Sequence, residues 1–138
     1  MNRALGQATR LYLAVGSGSA IGGAARWGVY EAVGAAGIEM LWATWVVNVT
    51  GSFLITFFAT LSDPDGRLFV GPAVRQLVMT GVCGGYTTFS VFSLDTVRML
   101  EAGRLGAASA NVIFSLLSWL LAAAAGSMLA ARLNRLRR

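Results

Sequence analysis

The chain has 138 residues, of which 56% are hydrophobic and only 12% charged, about half the charge a soluble domain ordinarily carries. Its net charge of +5 rests on eleven basic residues, all arginine, with no Lys and no His. That balance excludes an ordinary soluble domain, and it points the arginine excess toward anionic lipid headgroups and membrane topology rather than nucleic acid.

The charges are segregated. Leu11–Ala25, Leu41–Leu61, Gln76–Leu94 and Leu105–Ala131 contain no Asp, Glu, Lys or Arg. A helix that crosses the hydrocarbon core needs about 20 largely apolar residues. The pattern therefore predicts one domain of four transmembrane helices, at about 10–30, 41–61, 73–97 and 105–131. The first reaches spanning length only by continuing past Arg26 to Tyr30. A membrane barrel would need many short alternating segments. Gly34 to Glu39, Ser62-Asp63-Pro64-Asp65-Gly66 and Glu101 to Arg104 supply the turns.

The first helix opens with Arg3 and Arg10, but its apolar core, Leu11–Val15, is short for a cleaved secretory signal. Gly18 and Gly22 stand four apart, the spacing of closely packed membrane helices. Gly16-Ser17-Gly18 has no strand before it and is not a dinucleotide fingerprint. Arg26 lies about a turn inside the boundary. It can snorkel to the interface or draw anions into a vestibule.

The second helix places Thr44, Asn48, Ser52 and Thr56 on one face. Such side chains serve either as interhelical glue or as the lining of a wet path. Asn48, large and strongly polar in mid-span, fits either role.

The third helix carries Gly81, Gly84, Gly85 and the pair Thr87-Thr88 where a plain span would hold Leu and Val. Glycine costs about 1 kcal/mol against alanine in a helix interior, so the segment predicts a helix broken at mid-membrane. Irregular backbone at that depth must be covered by protein or line a cavity, and carbonyls exposed at such breaks coordinate cations. Phe89 and Phe92 then share a face, either as packing aromatics or with their positive ring edges toward an anion. The lone Cys83 rules out an intrachain disulfide.

The fourth helix places Asn111, Ser115 and Ser118 on one face and ends in the basic patch Arg132, Arg135, Arg137 and Arg138. With four spans, both termini share a side with the loop between helices two and three. Counting that patch, the arginines put this side in the cytoplasm. Without it, Arg3, Arg10, Arg67 and Arg75 stand against Arg26, Arg98 and Arg104, a near balance that suits insertion in both orientations (dual topology). No Asp, Glu, His or Lys sits at mid-depth, so proton coupling lacks a relay group. Passive movement of an ion or small polar solute fits better.

In its motifs the chain resembles the Fluc (CrcB-type) fluoride channels along nearly its full length. Gly22-Gly23-Ala24-Ala25-Arg26-Trp27 resembles the family's first-helix pattern, and Asn48 with Gly51-Ser52-Phe53 its second. Gly81 through Phe92 is similar to its long and unusual third-helix signature, and Ser115 stands where the fourth helix carries a pore serine. The resemblance implies an antiparallel homodimer in the bacterial-type inner or plasma membrane, with two pores that export fluoride from the cytoplasm. It implies Phe89 and Phe92 as aromatic edges along the path, Asn48 as amide donor, and Ser90 and Ser115 as hydroxyl donors. It also implies a structural sodium ion on the dimer axis, held by the backbone carbonyls of Gly84 and Thr87. The chain departs from the family at Val91, where a threonine is usual.

Two other classes fit less well. A small multidrug-type antiporter needs a membrane glutamate in the first helix, and Leu11–Ala25 has no acid. A non-transporting assembly subunit explains the glycines but not the polar stripes. An enzyme is not expected, since no metal cluster or nucleophile–base pair is in evidence.

Overall fold

The computed structural model describes residues 2–135, with side chains from residue 5 onward. The side chain of Arg3 and the whole of Arg137 and Arg138 thus lie outside the described residues. Within them the protein is entirely helical. Helix α1 spans Asn2–Ala35 and α2 Met40–Leu61. The third segment runs through α3 (Pro72–Gln76), a π-helical stretch Leu77–Cys83, a short α4 (Gly84–Tyr86) and α5 (Phe89–Glu101). Helix α6 spans Leu105–Arg135. The outer helices thus run several residues beyond the ranges read from the sequence.

Each boundary has a local cause. Gly37 and Gly103 both adopt φ +69, the left-handed conformation that suits glycine. At the first, Ile38 N donates to Val33 O at 3.1 Å and Gly37 N to Gly34 O at 3.0 Å. At the second, Arg104 N donates to Met99 O at 2.8 Å and Gly103 N to Leu100 O at 2.9 Å. This paired arrangement satisfies the last carbonyls of α1 and α5. Between α2 and α3, Arg75 donates to Ser62 O at 2.9 Å and pairs with Asp63 at 3.5 Å, while Pro72 sits at the helix start. Asn134 pins the same loop from the far end of the chain. Its Nδ2 donates to Thr60 O at 2.9 Å, and its Oδ1 accepts from Arg67 N at 3.0 Å.

Three helical segments are long and apolar enough to cross a membrane: Met40–Leu61, Pro72–Glu101 and Leu105–Arg135. Helix α1 has the length, but glycine, serine and charge dilute its apolar character and it falls short by composition. The burial pattern is that of a membrane protein. Apart from Phe92, the buried residues among those described are small or polar, among them Ala43, Thr44, Val47, Asn48, Ala108, Ser115 and Ala130. Large apolar residues such as Ile113, Phe114, Leu117, Leu120 and Leu121 face outward along α6. In lipid, helices gain little from burying leucine against one another and associate through small-residue packing and hydrogen bonds.

Helix α2 packs along α6, and α1 lies along the π-helical stretch and α4. The glycines set both distances. A Cβ on Gly18 would overlap Leu77 O and come within 2.9 Å of Gly81 Cα; one on Gly22 would overlap Val82 O. A Cβ on Gly126 would overlap Phe53 O, where α6 meets α2. The small-residue spacing at Gly18 and Gly22 therefore marks backbone-to-backbone contact, as its sequence suggests.

A broken helix and its surroundings

The third segment breaks after Tyr86. Thr87 (φ -81, ψ 160) and Thr88 (φ -147, ψ 121) are extended, and helix resumes at Phe89. The expected interruption is present, but not at the glycine pair. Gly84 and Gly85 stay helical, and Gly85 lets the segment reach Ser19 of α1, whose Cα would lie 2.8 Å from an added Cβ. Thr87 N and Thr87 Oγ1 both donate to Cys83 O, each at 3.0 Å, closing the last turn before the break.

Asn48 holds the break open. Its Nδ2 donates to Thr88 O at 2.8 Å, and its Oδ1 accepts from Thr88 N at 2.8 Å. The amide thus replaces both backbone partners that the extended Thr88 has lost, as burial requires. An amide nitrogen carries two N–H groups, so Asn48 keeps a second donor after this bond. Thr88 in turn caps α5: its hydroxyl accepts from Val91 N at 3.3 Å and lies 3.2 Å from Ser90 Oγ. Gly51 allows α2 to come this close, since a Cβ there would collide with the Thr87 methyl group.

The break borders a cavity of about 250 Å³ lined by Asn48, Ser52, Cys83, Gly84, Thr87, Thr88, Phe89 and Trp119, with Gly51 and Ile55. Phe89 is 69% exposed and Phe92 buried, with ring centroids 5.5 Å apart. Phe92 meets Trp119 edge to face at 4.9 Å and 72°. The Nε1 of Trp119 is shielded from solvent and has no hydrogen-bond partner among the described residues.

The polar stripes divide between two roles. On α2, Thr44 bonds Tyr30 OH of α1 at 2.6 Å, and Thr56 donates to Ala123 O of α6 at 2.8 Å. Both tie helices together, while Asn48 and Ser52 face the cavity. On α6, Asn111 donates to Thr96 of α5 at 2.9 Å, Ser115 sits buried within 3.4 Å of Asn111 Oδ1, and Ser118 accepts from Trp45 Nε1 at 2.9 Å. Arg26 reaches the break itself: its Nη1 donates to Thr87 O at 3.3 Å.

Gly84 and Thr87 offer neutral carbonyl oxygens, the donor type a hard monovalent cation prefers. The N–H four residues after Gly84, that of Thr88, is turned to Asn48, so the break leaves the Gly84 carbonyl outside the helical ladder. Thr87 O is shared with Arg26. In chemical type the two carbonyls fit a sodium ion, although one chain gives only part of a shell.

Some features escaped the sequence reading. Asp95, one residue past the uncharged run, is a half-buried carboxylate whose Oδ2 is shielded and unpartnered among the described residues. It borders a second cavity of about 470 Å³ with Trp42, Trp45, Arg98, Asn111 and Phe114. Trp119 was also missed. It lies four residues after Ser115, so extending the α6 stripe by one turn would have found it.

Comparison with known proteins is consistent across the chain. The family described as CrcB-like protein, Camphor Resistance (CrcB), matches residues 13–127. The Fluoride-specific ion channel FluC 1 of Rhodopseudomonas palustris (strain BisB18) is 52% identical over 128 residues, covering 92% of this chain and 91% of that protein. FluC 1 of Bradyrhizobium diazoefficiens is 47% identical over 128 residues, covering 93% and 89%. FluC of Opitutus terrae is 47% identical over 128 residues, covering 92% and 97%.

Proposed function

The chain belongs to the CrcB family, and on that premise we propose that it is a fluoride-specific ion channel that passes fluoride passively out of the cytoplasm. It is a multi-pass helical membrane protein whose relatives are channels rather than enzymes. The observation that carries the reading is the break at Thr87–Thr88. It sets Phe89, the Asn48 amide, Ser52 and the Thr88 backbone around one cavity.

Fluoride is small and tightly hydrated, so a path for it must replace water donors along its length. The spare N–H of Asn48, the hydroxyls of Ser90 and Ser115 and the ring edges of Phe89 and Phe92 are such donors. Each contact is weak and they act in series, which lets an ion enter and still leave. A narrow donor-lined path excludes chloride by size. Arg26 lends positive charge beside the break and draws anions toward a vestibule.

The working unit is an antiparallel homodimer with two pores. The exposure of Phe89 supports this, since an aromatic ring on the ion path needs a covering surface that one chain lacks. In that dimer α1 is the fourth span, and its low apolar content reflects the glycine face it spends on the third segment. The near balance of arginines suits dual insertion in a bacterial-type inner membrane. Gly84 and Thr87 carbonyls from both chains would hold a sodium ion, which would supply a fixed positive charge that ties the broken helices together.

Fluoride efflux from liposomes containing the purified protein, read with a fluoride electrode against a chloride control, tests the proposal. Fluoride release without chloride release, lost on Phe89→Ala, is the expected result. Folded protein that releases no fluoride would overturn it.

A further inference from the structure

We propose that Arg26 competes with the sodium ion for the carbonyl of Thr87, so that sodium binding decides where the guanidinium sits. This inference rests on the sodium site proposed above and makes Arg26 its antagonist. Arg26 Nη1 donates to Thr87 O at 3.3 Å. That oxygen is one of the two carbonyls given to the cation. Arg26 has no carboxylate partner among the described residues, so no acid offsets its charge at the break.

Backbone packing delivers the guanidinium. Helix α1 and the third segment advance side by side: an added Cβ would meet Gly81 at Gly18, and Val82 O and Tyr86 N at Gly22. Arg26 follows Gly22 by four residues in the same helix, about 6 Å further along the same face. The third segment is helical from Pro72 to Tyr86 and breaks there, so the next turn of α1 meets Thr87. A helix leaves its last carbonyls without amide partners and its C-terminal end negative. Two cations are thus matched to one helix end, a side chain supplied by α1 and a bound metal ion.

The two do not add. Unit charges sharing one oxygen lie within about 5 Å of each other, where at an effective dielectric of about 20 their repulsion is worth on the order of a hundredfold in affinity. Arg26 is half-buried, and solvent screens part of that, which leaves about tenfold. Arginine keeps its charge at every working pH, so the conflict cannot be titrated away. Coupling between two binding equilibria is reciprocal. If Arg26 weakens sodium, sodium loosens Arg26 from Thr87 and frees it for the vestibule, where its charge draws anions. Sodium then sets the charge at the pore mouth as well as tying the break.

The test uses the full-length protein in detergent micelles, dialysed into N-methylglucamine chloride and titrated with sodium chloride at constant ionic strength. In the native chain, phenylglyoxal modification of accessible guanidinium groups is followed at Arg26 by peptide mass spectrometry. Sodium should speed modification of Arg26 severalfold and leave Arg75, held on Ser62 O and Asp63, unchanged. Thermal unfolding then gives the sodium concentration of half-maximal stabilisation. It should be about tenfold lower in Arg26→Gln, which removes the charge, than in the native chain, with Arg26→Lys, which keeps the charge, close to native. An Arg26 modification rate indifferent to sodium, or the same sodium midpoint in Arg26→Gln as in the native chain, would overturn the inference and leave Arg26 an anchor. Stability indifferent to sodium in all three chains would overturn the sodium site itself, and the inference with it.

Discussion

Replacing Asn48 by Ala removes both hydrogen bonds that hold Thr88 in its extended conformation. Asn48 and Thr88 are each 5% exposed, so solvent reaches little of the pair in the native chain. The Thr88 N–H and C=O, both bonded at 2.8 Å in the native chain, would be left buried and unpaired. Each such group costs about 1–3 kcal/mol, which sums to about 2–6 kcal/mol before the break relaxes. Thr56→Ala is the internal comparison. It removes one hydroxyl that bridges α2 to Ala123 O, and a single interhelical bond in a membrane protein averages about 0.6 kcal/mol. Reversible unfolding in mixed detergent and SDS micelles, followed by tryptophan fluorescence, measures both variants. Asn48→Ala should be several times the more destabilising. If it costs no more than Thr56→Ala, the amide does not carry the break, and the account of Asn48 as its clamp is wrong.

Three further outcomes are expected. Gly22→Ala should destabilise by about 1–3 kcal/mol in the same unfolding assay. Its Cβ would meet backbone, the carbonyl of Val82 and, at 2.7 Å, the nitrogen of Tyr86, whereas Gly23→Ala, which meets nothing within 4 Å, should be neutral. Thr88→Val should cost about 1 kcal/mol, because it removes the hydroxyl that caps α5 at Val91 N; unchanged stability would show that the cap is dispensable. Val91→Thr, measured by fluoride efflux, should leave the native chain active and raise its flux modestly; a native chain that is inactive until rescued by this change would refute the view that Ser90, Asn48 and Ser115 suffice.

Much of the fold is legible in local chemistry. The uncharged runs Leu41–Leu61 and Leu105–Ala131 mark two of the spans, and glycine at Gly37 and Gly103 marks the ends of α1 and α5. The break is legible as a region but not as a position. Its glycines are needed for contact with α1, and the chain turns extended at Thr88, where an amide from another helix accepts the backbone. That partnership joins residues 40 apart in sequence and leaves no trace in the composition of either segment. The same holds for Arg26, whose carbonyl partner at Thr87 lies 61 residues away. The roles of the polar stripes were open for a related reason. Periodicity tells which side chains share a face, but only the neighbouring helix decides that Thr44 and Thr56 are joints while Asn48 and Ser52 border space.

The π-helical stretch Leu77–Cys83 bears on how the length of this chain can change. Deleting one residue from an ordinary helix rotates everything after it by about 100°. In α2 such a loss would swing Asn48 away from Thr88. A π-helical turn closes each bond one residue further along, so it stores a surplus residue. Removing one position between Leu77 and Cys83 would tighten that stretch to an ordinary helix and leave Gly84, the break and the Phe89–Phe92 pair facing as they do now. The third segment thus carries slack immediately ahead of its most exacting residues, at the one place along it where a single-codon deletion should be absorbed.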